Sequence, residues 1–377
     1  MSARLPRDLH PVAWWLWAIG LAAGASMTTN PLLLLLLVAV ATVVVVARRG
    51  AQPWARSFRL YVGLGVLIVV LRVGFRVLFG GYVGTGGHVL LALPAIPLPG
   101  WVAGVTLLGP LTREALLAGL YDGLRLATIV ICVGAANALA NPKRLLRSVP
   151  PALYEIGTAL VVAVTVLPQF ADSVRRVRAA QALRAGESGR VARLRRLLVP
   201  VLEDALERSL ALAAGMDARG YGRAGDLGRG RRRATATLLL AGLVGICVGG
   251  YAVLDRTAPR WLALPMLALG ALAALAGLFS AGRRVQRSRY RPDPWRWPEL
   301  AVVAGGLATA LLLRWVATSQ PAIAFPPLTV VPTVSGVALL AVLTALAGGL
   351  CAPPPVLPAP VTLPDTALRD RAPEVAA

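Results

Sequence analysis

Few residues in this chain have a type and spacing that could do chemistry. Among 39 basic residues there is one lysine, Lys143, with Pro142 before it and Arg144 after it. A phosphate-cradling loop ends in Gly-Lys-Ser/Thr, so that backbone N–H groups and a lysine converge on the phosphates; Lys143 has no such neighbours. Two histidines (His10, His88) and three scattered cysteines (Cys132, Cys247, Cys351) make neither a His/Cys metal cluster nor a Cys-x-x-Cys pair. The acids are dispersed, with Glu203, Asp204 and Glu207 on an amphipathic stretch, so the set a membrane enzyme needs does not come together. What remains is mostly arginine. Arg184 and Arg219 stand at expected helix ends beside Gly186 and Gly220, where small residues let a partner backbone approach closely. Arg72, Arg76, Asp122 and Arg125 fall inside apolar stretches, where an ionisable side chain is a functional candidate. Asp122 is the acid that a proton-coupled permease would use. The structural alternative has Arg72 and Arg76 reaching outward and Asp122 pairing with Arg125 at i and i+3.

The elements that must position these residues follow from composition. Of 377 residues, 57% are hydrophobic and 15% charged, whereas soluble chains run nearer about 25% charged. The reading is an all-α, polytopic helical membrane protein. Eight apolar runs can cross a ~30 Å hydrocarbon core: 12–28, 31–47, 59–79, 115–140, 234–254, 260–280, 299–318 and 330–350. Trp14, Trp15, Trp17, Trp261, Trp297 and Trp315 fall near their ends, where amphipathic rings prefer to sit. Residues 12–26 also fit a signal-peptide core with Ala23-Gly24-Ala25 as its cleavage site, but the three tryptophans argue against that.

Charge placement orients the spans. With Arg4 and Arg7 inside, the loop carrying Arg48, Arg49, Arg56 and Arg59 is also inside, and residues 80–112, without a Lys or Arg, are outside. A ninth apolar stretch, 151–170, resembles a span by hydropathy. Were it to cross, residues 171–233 and their 15 arginines would be exported. If it does not, all 18 basic residues of 141–233 stay in the cytoplasm, as does the basic loop 281–297. The second arrangement satisfies the positive-inside rule, so 151–170 is expected to be a helix lying at the cytoplasmic membrane surface or buried under other helices, with Glu155 and a break at Pro168 as the signs. Both termini are then cytoplasmic.

Four regions follow: a four-span membrane region, 1–140; a cytoplasmic coupling-helix region, 141–233; C-terminal spans, 234–351; and a proline- and alanine-rich disordered tail, 352–377. Residues 80–112 form an external loop, with a short hairpin as one possible form. Inside 141–233, Phe170, Val174, Val177, Gln181 and Arg184 recur at helical spacing. A further helix is expected to open at Pro200, with Glu203 and Asp204 in its first turn, and to close at Gly220 after Arg219. Most of the arginines read as a solvated surface near anionic lipid. Without interleaved aromatic residues they do not form a nucleic-acid patch.

These residues carry a resemblance. Met216-Asp217-Ala218-Arg219-Gly220-Tyr221-Gly222 matches the Ala-Arg-Gly coupling motif of the transmembrane T component of energy-coupling factor transporters, the EcfT/CbiQ family. Ala180-Gln181-Ala182-Leu183-Arg184-Ala185-Gly186 is similar to its first motif, with Ala185 inserted between arginine and glycine. Asn137-Ala138-Leu139-Ala140-Asn141-Pro142, Pro168-Gln169, Pro200, Leu9-His10-Pro11 and Asn30-Pro31-Leu32 also fit. The likeness covers roughly residues 8–255. It implies a non-catalytic bacterial cell-membrane subunit that holds two EcfA-type ABC ATPases and a small membrane S component importing a vitamin or a metal ion such as cobalt. Arg184 and Arg219, with Gly186, Ala218 and Gly220, would couple to the ATPases. The resemblance also implies that this chain binds no cofactor itself and that Mg-ATP is used by the ATPase partners.

Overall fold

The computed structural model describes residues 7–50, 57–79, 89–92, 94, 96–97, 106–148, 154–183, 190–220, 229–255, 259–282 and 293–355. In chain order the elements are α1 Pro11–Ser26, α2 Pro31–Arg48, α3 Phe58–Leu78, β1 Val89–Ala92, β2 Ile96–Pro97, β3 Thr106–Leu107, β4 Pro110–Thr112, α4 Arg113–Leu139, α5 Pro142–Arg147, α6 Tyr154–Leu183, α7 Arg190–Ala218, α8 Arg229–Leu254, α9 Arg260–Gly282, α10 Trp297–Ser319, α11 Pro321–Ala324, α12 Gly336–Thr344 and α13 Ala347–Leu350. The chain is an all-α multi-pass membrane protein with one small β excursion.

Local chemistry sets the helix starts. Asn30 Oδ1 accepts the Leu32 N–H at 3.0 Å while Pro31 occupies the first helical position of α2. His10 Nδ1 accepts from Val12 N at 3.3 Å and Pro11 opens α1. Thr112 Oγ1 accepts from Ala115 N at 3.2 Å to start α4. At α10 the Glu299 carboxylate reaches back to accept the Arg296 N–H at 3.1 Å, one half of a capping box.

The chain divides into two compact units, residues 1–142 with 293–377 and residues 143–292. In the first, α1 packs against α10 and α4, and α2 packs against α4, α12 and α13. The α1 and α10 backbones touch: a Cβ at Gly20 would lie 2.3 Å from the Gly306 carbonyl oxygen, so only glycine permits this approach. Trp17 is fully buried beside them and donates its indole N–H to Ala345 O at 3.0 Å.

Polar ties bind the two ends of this unit. At one end Arg7 pairs with the fully buried Glu299, and Arg48 Nε donates to Gly349 O at 2.8 Å. At the other, Thr28 Oγ1 donates to Ala324 O at 2.7 Å, and Asn30 Nδ2 donates to Ile323 O and Thr333 O, both at 2.8 Å. These ties run α1 parallel to α10, and α2 parallel to the α12–α13 segment. Residues 293–355 are thus part of the core of the N-terminal helices.

In the second unit, α6 packs on α7 and α8 on α9. The α8–α9 contact is backbone-close as well, since a Cβ at Gly245 would sit 2.7 Å from Gly270 Cα. Between α3 and α4 the chain forms antiparallel pairs, β1 with β4 and β2 with β3, so a hairpin does occupy part of the 80–112 loop.

Several expectations change. Among the described residues seven helices, not eight, are long and apolar enough to cross a membrane: Pro31–Arg48, Phe58–Leu78, Arg113–Leu139, Ile156–Leu183, Arg233–Leu254, Ala263–Gly282 and Trp297–Ser319. α1 has 16 residues and falls short of that length. The expected span 330–350 is not one helix. Pro332 removes a backbone donor, Asn30 takes the Thr333 carbonyl, and α12 begins only where Ser335 Oγ accepts from Ala338 N at 3.2 Å. Residues 154–183 form one continuous helix through Pro168 rather than breaking there, and its apolar length suffices for a span. Trp14 and Trp17 are buried in the core, edge to face with ring centroids 5.9 Å apart, and are no interfacial belt. Tail residues 356–377 lie outside the described residues.

Candidate functional site

Two groups of charges were singled out in the sequence, one on the α6–α7 pair and one on α3 and α4. The first is organised around Asp204. Its carboxylate accepts the buried Ser173 hydroxyl at 2.6 Å and Arg208 Nε at 2.9 Å, and Arg176 lies 3.4 Å away. Ser173 and Arg176 come from α6, Asp204 and Arg208 from α7, so one carboxylate ties the two helices together. The Ser173 hydrogen bond, followed by the hydrogen bond and charge of Arg208 and the charge of Arg176, holds the Asp204 carboxyl below the ordinary carboxylate range. Val201, one turn before Asp204, is buried.

This corrects the expected start of the last coupling helix. α7 begins at Arg190 and contains Pro200 in its interior. Asp204 therefore serves as a cross-helix link instead of complementing a first-turn dipole. The helix tolerates Pro200 at the loss of one intrahelical donor.

α7 ends where the sequence places it. Its last helical residue is Ala218; Arg219 N donates to Met216 O at 3.1 Å, and Gly220 N donates to Asp217 O at 2.8 Å. Gly220 takes a φ of 72°, the left-handed region that closes a helix and that glycine adopts without a Cβ clash. Ala218 and Arg219 are exposed, and the Arg219 guanidinium has no hydrogen-bond or ion-pair partner among the described residues. A long helix thus presents an exposed guanidinium beside a fixed cap. Arg184 and Gly186 of the other motif lie outside the described residues.

The second group departs from expectation. Asp122 faces Arg76 across the helix pair at 3.7 Å rather than pairing with Arg125 on its own helix. Arg125 donates to the Ser26 carbonyl instead and so satisfies the C-terminal end of α1, where a cation is favoured. Arg76 is therefore not simply directed outward. Arg72 is exposed and has no partner among the described residues. With Asp122 and Arg125 engaged by other elements, the four charges do not form one site.

Sequence reasoning missed Glu299 and Arg314. The signal for Glu299 was present: Pro298 and an acid three residues after Arg296 mark a helix start. Arg314 is an exposed charge inside the apolar run of α10. Among the described residues, no group of three or more His, Cys, Asp or Glu side chains could hold a metal ion.

Comparison with known proteins adds one finding. The sequence model of the CbiQ family, described as cobalt transport protein, matches residues 2–227, which include all of α1 to α7 and both arginine motifs. No curated protein matches the chain.

Proposed function

Because the chain belongs to the CbiQ family of cobalt transport proteins, we propose that it is the energy-coupling T component of an ATP-driven importer. In this reading it catalyses nothing. Two cassette ATPase subunits bind and hydrolyse Mg-ATP on the cytoplasmic side, and a small membrane S component carries the substrate, a cobalt ion or a vitamin. The observation that carries the reading is the exposed Arg219, without a partner among the described residues, at the glycine-closed end of α7 inside the matched region.

The physical logic runs from that end inward. A guanidinium presents a planar fork of donors suited to carboxylates, and arginine is enriched among interface residues that dominate binding. Seated in an acidic groove of an ATPase, Arg219 would transmit that subunit's closing motion to α7. The Asp204 link would carry the displacement to α6, because a shared carboxylate resists separation of the two helices. Arg184 would dock the second ATPase in the same way. The cytoplasmic side is supported by the 18 basic residues of 141–233, which the positive-inside rule keeps there even though α6 is long and apolar enough to cross.

The test is reconstitution. The purified chain, with both cassette ATPases and the S component in proteoliposomes, should take up substrate only when ATP is present. The chain alone should hydrolyse no ATP. Hydrolysis by the isolated chain that survives contaminant controls would end this reading.

A further inference from the structure

An arginine of the first unit that has no partner among the described residues, Arg72, points to a ligand of its own. Arg72 lies six residues before the end of α3, about 9 Å along the axis at 1.5 Å per residue. Its neighbours Val70, Leu71 and Phe75 are exposed, and only Phe58 and Gly65 of α3 are buried. A helix apolar enough to cross a membrane and with so little protein cover faces acyl chains. A charged side chain on such a face needs a counter-group within reach, because desolvating it alone is costly. None of the described residues supplies one to Arg72.

The bases of the Arg72 and Arg76 side chains lie against α4. A Cβ at Gly119 would lie 2.8 Å from Arg76 Cγ, and one at Gly123 would lie 3.2 Å from Arg72 Cβ. Two arginines one turn apart on α3 therefore rest on two glycines one turn apart on α4. Asp122, between those glycines, reaches Arg76 at 3.7 Å with both groups partly exposed, a weak pairing that leaves excess positive charge. A long arginine side chain at this depth extends toward the headgroup level. We propose that Arg72, with Arg76 beside it, binds the phosphate of an anionic phospholipid toward the end of the α3–α4 pair where α3 closes at Leu78 and α4 opens at Arg113. The site is independent of the coupling role assigned to α7.

The experiment is native mass spectrometry of the full chain in detergent, titrated with phosphatidylglycerol or phosphatidylcholine. The wild type retains phosphatidylglycerol in preference to phosphatidylcholine. Arg72→Gln weakens phosphatidylglycerol retention about fivefold, the factor that ~1 kcal/mol for one arginine at an anionic headgroup surface gives at 1.4 kcal/mol per decade. Arg72→Lys keeps most of it, and Asp122→Asn, which releases Arg76, raises it. Ser209→Ala, at an exposed uncharged position on α7, leaves it unchanged. The melting temperature of Arg72→Gln in lipid-free detergent equals that of the wild type. Equal retention by wild type and Arg72→Gln, no preference for the anionic lipid, or a lowered melting temperature without lipid would each overturn the proposal.

Discussion

The α7 end and the α6–α7 link rest on two residues of opposite demand. Gly220 is needed for backbone shape: its φ of 72° is one that a side chain disfavours, by about 1–2 kcal/mol. Gly220→Ala should therefore fray the last turn of α7, seen as faster amide exchange at residues 216–220, with about 1–2 kcal/mol lost. Asp204 is needed for its charge. A carboxyl held below its ordinary value of 3.8 stabilises the fold fully above that value and loses the contribution as pH falls through the lowered one. Amide protection factors at residues 170–178 and 200–210, corrected for the intrinsic pH dependence of exchange, should accordingly stay constant between pH 5 and pH 8 and fall only in stronger acid. A loss of protection near neutrality would point to a different titrating group.

Helices meet in this protein where side chains are removed and polar groups are pinned. Gly306→Leu should separate α1 from α10, since any side chain there meets the Trp17 backbone at 2.7 Å. Glu299→Gln should cost about 1.5–3 kcal/mol, the range for a hydrogen bond to a charged group. Thermal unfolding in detergent reports both, and an unchanged melting temperature for Gly306→Leu would refute the α1–α10 contact. The same elements show what could be read from sequence. Apolar length and caps such as Asn30-Pro31 revealed α2, α3, α4, α8, α9 and α10, because a helix of that hydropathy is a local property. The interior prolines Pro168 and Pro200 misled, since a helix start and a tolerated interior proline have one local signature and packing chooses between them. The 330–350 segment read as a span because nothing local announces that Asn30, about 300 positions away, takes the Thr333 carbonyl. The burial of Trp17 was hidden for the same reason. At the candidate site, Arg219 and Gly220 were legible from a contiguous motif, whereas the Arg76–Asp122 pair is a cross-helix contact that i,i+3 spacing could not show.

At the scale of the whole molecule, sidedness and coupling are one question. In a background lacking Cys132, Cys247 and Cys351, a cysteine at Ser209 on α7 should react only with reagent reaching the cytoplasmic face, and one at Leu90 on β1 only from outside. External labelling at Ser209 would mean that α6 crosses and that the arginine-rich region is exported. The measurement that bears most directly on the coupling role is capture of the two cassette ATPases by the full chain, paired with substrate uptake. Removing one side of a buried charge pair costs ~2–5 kcal/mol, so Arg219→Ala should weaken ATPase capture more than about tenfold at 1.4 kcal/mol per decade. Its own melting temperature should not change, because the guanidinium has no partner among the described residues. Arg184→Ala combined with Arg219→Ala should abolish capture and uptake, while Arg195→Ala keeps both. Wild-type ATPase capture and uptake in that double variant would contradict the assignment and place the coupling on another surface.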